Sequence, residues 1–304
     1  YAVLAVINGE RRIFFAKKDN PLIIGLGEGQ NFIASDIPAF LPYTKRILVI
    51  RDDELGFVTP ETVYLEDKDG NVVNIKERIR IVDWDIETAS KEGYPHFMIK
   101  EIHESPRAVK DTIDSLMSDI DLVEKVIEEI KNAERVIVIG AGTSYHAGLY
   151  FSIELNRLGI NSLPIIASEY YNVRSKKGDL VFAISQSGET IDVLQGIRMM
   201  RNSGAKIISL TNVIESAIAR ESDYKIYMRA GPEIGVAATK TFTTQLASIL
   251  FILSVLKKEN LKKMEKAPDI VRDTISQVEG LTKKIGEELA KKSNIYYLGR
   301  GLSL

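Results

Sequence analysis

The chain has 304 residues, 45% of them hydrophobic and 27% charged, with a formal net charge of −2. That length allows two or three domains with a sizeable core, and the near-neutral balance without a basic block disfavours nucleic acid as a partner. The absence of cysteine and the presence of three scattered histidines exclude disulfides, thiolate chemistry and a helical histidine pair for a metal within this chain.

The first 85 or so residues read as β structure. Tyr1–Ile7 and Arg12–Ala16 flank Asn8-Gly9, a strong hairpin signal, and Arg46–Ile50 is a further apolar run. Val63–Leu65 and Val72–Ile75 flank Asp67-Lys68-Asp69-Gly70, which predicts a second hairpin, and Ile79–Val82 closes the set. Gly25-Leu26-Gly27-Glu28-Gly29 follows a poor strand and precedes no clear helix, so a flexible loop is expected there. Trp84 and His96 have no companions that suggest catalysis.

Residues 86–106 are polar and end at Pro106, which predicts a linker with little structure. Val109, Ile113, Leu116, Ile120, Val123, Val126 and Ile127 then recur at helical spacing, giving one or two amphipathic helices. From residue 135 onward strands and helices alternate. Strands are predicted at Arg135–Ile139, Leu163–Ala167, Leu180–Ile184, Lys206–Leu210 and Tyr224–Met228. Helices are predicted over Tyr145–Leu158, Ile191–Asn202, Ala217–Arg220, Thr241–Lys258 and Pro268–Lys292. This alternation indicates βαβ units around a buried parallel sheet. No apolar run reaches the roughly 18 residues of a membrane helix, and the expectation is a soluble cytoplasmic protein with no membrane partner.

Ile295–Leu298 before Gly299-Arg300-Gly301 resembles Val136–Ile139 before Gly140-Ala141-Gly142. A tandem duplication with its second copy cut short accounts for this; chance likeness of two strand-to-glycine turns is the alternative. An opening directly on an apolar run at Tyr1 and an ending just past another suggest a piece of a longer protein.

The segment Ser185-Gln186-Ser187-Gly188-Glu189-Thr190 stands between a fully apolar strand and a helix. A phosphate monoester is a dianion, and a helix start offers it unpaired N–H groups and a favourable dipole. Three hydroxyls and an amide add donors, and Gly188 permits close backbone approach. Simple capping by Ser187, with Thr190 in the first turn, is the plainer alternative. Gly140-Ala141-Gly142-Thr143-Ser144 follows the first strand of the same sheet, and Thr143 and Ser144 can donate to sugar oxygens. The third glycine of a dinucleotide fingerprint is missing there, because Tyr145 takes its place, so a nicotinamide-dependent oxidoreductase is disfavoured. In Glu233–Lys240, residues Glu233, Thr239 or Lys240 either touch the ligand or cap the next helix. His146 lies beside Thr143-Ser144, where a surface histidine is the commoner outcome.

The three segments A-G-T-S-Y, S-Q-S-G-E-T and E-I-G-V-A-A-T-K-T-F-T-T-Q, in this order, resemble the sugar isomerase (SIS) domain family, and within it the branch that makes amino sugars with glutamine. Pro21–Asp36 is similar to the end of that branch's glutaminase domain and Phe97–Pro106 to its linker. The resemblance implies an α/β fold: a flavodoxin-like SIS domain, a parallel sheet flanked by helices, preceded by the antiparallel β portion of an N-terminal-nucleophile glutaminase domain. The implied layout is the glutaminase part at 1–92, linker and helices at 93–130, the first SIS domain at 131–265, and a connecting helix with the start of a second SIS domain at 266–304.

The branch aminates and isomerises fructose 6-phosphate to glucosamine 6-phosphate with ammonia from glutamine, without metal or organic cofactor, and its SIS domains pair, which implies a homodimer. By position, Ser185, Gln186, Ser187 and Thr190 hold the phosphate, Thr143 and Ala141 face the sugar, and Val236 lines the pocket. Ala238 stands where the branch often has Ser, and Ala141 where it often has Cys; a backbone contact at Ala141 survives that change. The branch's cysteine nucleophile falls before Tyr1 and its acid–base lysine and glutamate beyond Leu304. No catalytic residue is therefore expected here, and no turnover by this chain alone. A non-catalytic phosphosugar-sensing module is the competing reading.

Overall fold

The computed structural model describes residues 1–299 apart from 19, 36 and 83–90. Trp84, residues 86–90 of the expected linker, and the second glycine turn from 300 onward lie outside the described residues. The chain forms two compact units, Tyr1–Glu92 and Gly93–Leu304.

In the first unit, β1 (Ala2–Val6), β2 (Ile13–Lys17), β6 (Glu54–Val58) and β7 (Val63–Glu66) form one antiparallel sheet in the order β1-β2-β6-β7. β4 (Asn31–Ala34), β3 (Ile23–Leu26), β5 (Arg46–Val49) and β8 (Arg80–Ile81) form a second in the order β4-β3-β5-β8. Phe15, Val58, Val63 and Leu65 of the first sheet cluster with Ile24, Leu26 and Leu48 of the second. The β1–β2 hairpin turns at Asn8-Gly9, with Gly9 at φ +86°.

Three expectations for this unit are corrected. Gly25 is not in a flexible loop: it lies inside β3, and a Cβ there would meet Phe40 Cδ2 at 2.6 Å. The bare glycine makes room for the buried ring. The second hairpin is reduced to a single bridge from Glu66 to Val72, and residues 75–78 turn into a 3-10 helix capped by Asn74. β6 has no counterpart among the expected strands, because its opening Glu54 is buried and its charge is met by Arg78 at 2.6 Å.

The second unit is a parallel five-stranded sheet in the order β10-β9-β11-β12-β13. Its strands are β9 (Arg135–Gly140), β10 (Ser162–Ile166), β11 (Asp179–Ser185), β12 (Lys206–Thr211) and β13 (Tyr224–Tyr227). Alternate residues face opposite layers, as the period of a strand requires. Val136, Val138, Leu180, Phe182 and Ile184 point to one core, together with α1 (Phe97–Ser118), α2 (Ile120–Asn132), α3 (Thr143–Arg157) and α6 (Lys240–Leu256). Ile137, Ile139, Val181 and Ala183 point to the other, with α4 (Ile191–Asn202) and α5 (Ala217–Arg220). Burial on both faces explains why these strands read as unbroken apolar runs. The long α7 (Ala267–Leu289) packs against α1.

Two expectations fail in this unit. Residues 97–106 are not a linker: α1 begins at Phe97 and runs through Pro106. Its polar residues Lys100 and Glu101 are each only 2% exposed because tertiary partners satisfy them. Ile295–Leu298 forms no strand among the described residues, and its side chains are exposed. Among the described residues no helix is long and apolar enough to cross a membrane.

Candidate phosphosugar site

In the strand order the chain moves from β9 outward to β10, then returns to place β11 on the other side of β9. Loops leaving the carboxyl ends of β9 and β11 therefore diverge to opposite faces. This is the switch point at which open α/β sheets bind ligands. Ile184 pairs with Gly140, so the segments 140–144 and 185–190 start side by side, at the same height on adjacent strands.

Ser185 ends β11 and is 2% exposed. Its hydroxyl lies 2.9 Å from Thr190 Oγ1 and accepts the Gly188 N–H at 3.0 Å, so it closes the loop on itself. Ser187 Oγ accepts the Glu189 N–H at 3.1 Å. Thr190 is the N-cap residue of α4 but makes no side-chain cap bond. The capping alternative by Ser187 is thus not what is seen: Thr190 occupies that position, and its hydroxyl turns to Ser185. Gln186, Ser187 and Thr190 are partly exposed.

The loop is braced from below by the segment after β12. Asn212 N–H donates to Gln186 O at 3.1 Å, Ile218 N–H to Gly188 O at 2.9 Å, and Ala217 N–H to Glu189 Oε1 at 2.8 Å. Gly188 adopts φ +66°, and a Cβ on it would fall 1.9 Å from Ser216 Oγ.

Gly142 precedes α3 at φ 56° and ψ −130°, which leaves Thr143 exposed at the helix start. Ser144, the other hydroxyl expected to donate to a sugar, is buried and instead accepts Gln245 Nε2–H at 2.9 Å. His146 is half-buried against Tyr145, ring edge to face, and its Nδ1 is buried. Val236 projects wholly into solvent.

Glu233 and Lys240 are engaged within the protein. The Glu233 carboxylate accepts the Thr239 N–H at 2.9 Å, the Thr241 N–H at 3.2 Å and the Thr241 hydroxyl. It therefore caps α6, where a negative charge suits the helix dipole. Lys240 is buried, with Nζ 2.5 Å from Glu104 Oε2. Among the described residues, no group of three or more His, Asp or Glu is placed to hold a metal ion. Glu101 and Asn212 carry no motif in the sequence; their roles arise from contacts with residues distant in the chain or in a neighbouring loop.

Residues 129–255 match the SIS domain family. The chain is 98% identical over its whole length to a glutamine–fructose-6-phosphate aminotransferase (isomerizing) of Sulfurisphaera tokodaii, covering 52% of that protein. It is 68% identical, with the same coverage, to the protein of that name from Sulfolobus acidocaldarius. The chain thus spans about half the length of these curated relatives. Among solved structures it is similar to the C-terminal domain of the glucosamine-fructose-6-phosphate aminotransferase of Francisella tularensis. That likeness has a TM-score of 0.59 and 30% identity, and covers 70% of this chain and 65% of that one. Residues 129–255 thus match the SIS domain family, and along its full length the chain is similar to about half of the glutamine–fructose-6-phosphate aminotransferases.

Proposed function

We propose that the second unit binds the phosphate and sugar of fructose 6-phosphate, and that this chain carries the sugar-phosphate-binding part of a glutamine-dependent synthase of glucosamine 6-phosphate. The observation that carries the reading is the Ser185–Thr190 loop at the sheet's switch point, tied to the segment after β12 by three hydrogen bonds. Ser187 and Thr190 offer hydroxyls, Gln186 an amide, and the start of α4 its N–H groups and dipole to a dianion. Ser185 contributes by fixing Thr190 and Gly188. Thr143 and the backbone at Ala141 face the sugar from the adjacent strand end, and Val236 supplies an apolar wall. In the same reading the first unit is the closing part of a glutaminase domain, residues 131–265 are the first SIS domain, and the working protein is a cytoplasmic homodimer that takes glutamine as its second substrate.

The test is calorimetric titration of the chain with fructose 6-phosphate and with fructose. Fructose 6-phosphate binds and fructose does not, if the phosphate is the anchor. Replacing Ser187 and Thr190 by Ala removes charge-assisted bonds worth about 1.5–3 kcal/mol each, or roughly ten- to a hundredfold in affinity apiece. Unchanged affinity in the double variant overturns the assignment.

A further inference from the structure

Glu101 lies on α1, 2% exposed, far in sequence from every segment of the candidate site. A buried carboxylate is costly unless its charge is met. Here it is met by two consecutive backbone N–H groups. Glu101 Oε1 accepts from Ile234 at 2.6 Å and from Gly235 at 3.0 Å, and Oε2 approaches the Gly235 N–H at 3.2 Å. Successive N–H groups that converge on one anion form a backbone nest, and in this protein the anion is an internal side chain. A Cβ at position 235 would fall 2.5 Å from Glu101 Oε2, so an alanine there would displace the carboxylate from this contact. The next residue is Val236, whose side chain is fully exposed. The far side of the loop is tied down separately by the Glu233 cap on α6.

We infer that Glu101 is a positioning residue for the sugar site: it fixes the Ile234–Gly235 backbone and thereby sets where Val236 stands against the bound sugar. The inference rests on the phosphosugar reading above and assigns Glu101 to the sugar end of the ligand, separate from the phosphate loop at Ser185–Thr190. It follows that losing the carboxylate weakens the grip on the sugar and leaves the grip on phosphate intact. Glu101→Gln keeps an acceptor oxygen at Oε1, where both shorter bonds are made, and retains much of the function.

The experiment compares the wild-type chain, Glu101→Ala and Glu101→Gln by titration with fructose 6-phosphate and with inorganic phosphate, alongside amide exchange of residues 234–236. In Glu101→Ala, fructose 6-phosphate affinity falls about tenfold, the effect of losing one charged hydrogen-bonding group. Inorganic phosphate affinity stays within twofold, exchange at 234–236 accelerates, and Glu101→Gln recovers most of the loss. Equal losses for both ligands, or unchanged affinity for fructose 6-phosphate, overturn the inference and leave the phosphosugar reading standing. If Glu101→Ala does not fold, Glu101→Gln and Gly235→Ala give the same comparison, with the larger selective loss expected in Gly235→Ala. A wild-type chain that binds neither ligand overturns the phosphosugar reading and the inference with it.

Discussion

Gly188→Ala tests whether the candidate loop depends on one backbone conformation. At φ +66° an L-residue with a Cβ costs about 1–2 kcal/mol relative to glycine. The added methyl would also lie 1.9 Å from Ser216 Oγ, 2.4 Å from Ser216 Cβ and 3.3 Å from Thr211 Cγ2. Forcing a methyl into so tight a site adds about 1–3 kcal/mol, so the total is roughly 2–5 kcal/mol. Part of it appears as lost stability and part as displacement of the loop. The two components separate in a double-mutant cycle. Ser216 is the N-cap residue of α5 but makes no side-chain cap bond, so Ser216→Gly alone costs only a few tenths of a kcal/mol. In Gly188→Ala/Ser216→Gly the clash with the Ser216 side chain is gone, and the φ cost and the 3.3 Å approach to Thr211 Cγ2 remain. Urea unfolding of the second unit, followed by amide exchange in β11, reads stability, and titration with fructose 6-phosphate reads the loop. The expected result is a large loss in Gly188→Ala with about half of it recovered in the double variant. A single variant as stable and as tight-binding as wild type, or a double variant no better than the single, would refute this account of the loop.

Two further perturbations probe what holds the second unit together. Phe151 on α3 is fully buried and meets Phe182 of β11 edge to face at 4.9 Å between ring centres; Phe151→Ala is expected to cost about 3–5 kcal/mol, seen as a lowered Tm with β9 and β11 losing exchange protection together. Glu104 is shared by the buried ammoniums of Lys100 at 3.1 Å and Lys240 at 2.5 Å, so Glu104→Gln leaves both without this carboxylate and costs about 3–5 kcal/mol. Lys240→Met leaves Glu104 paired with Lys100 and is expected to cost less than half as much in urea unfolding; equal losses would show that the carboxylate is not shared.

The two units differ in how much of them could be read from the sequence, and the reason is physical. Strands of the parallel sheet are buried on both faces, so Val136–Ile139 and Leu180–Ile184 are unbroken apolar runs whose ends fall within a residue or two of β9 and β11. In the antiparallel unit the signal is diluted. β3 follows a proline and contains Gly25, while β6 contains Glu54 and Gly56, whose strand position depends on Arg78 and on close approach to Tyr64. The opening of α1 was obscured in the same way, because Lys100 and Glu101 read as solvent-facing and are buried. At the site, the residue types of the 185–190 loop were legible because their chemistry is local. Glu101 was not, since its partners stand more than 130 residues away and no spacing rule connects them.

Glu189 poses an apparent contradiction for the proposed phosphate reading: it puts a carboxylate within the loop assigned to a dianion. Its geometry resolves it. Glu189 Oε1 accepts the Ala217 N–H at 2.8 Å, so that oxygen's charge is directed across to the segment after β12. The same segment receives the loop's other two ties, from Gly188 O and Gln186 O. All three ties use loop acceptors, one carboxylate oxygen and two carbonyls, against backbone N–H donors of 212–218. Three acceptors, which repel a phosphate, are thereby engaged by 212–218, while the Ser187 and Thr190 hydroxyls and the amide of Gln186 belong to partly exposed residues. In the proposed reading the loop's fitness for an anion is therefore a matter of sorting: donors and acceptors occur together in six residues, and packing against 212–218 engages three of the acceptors.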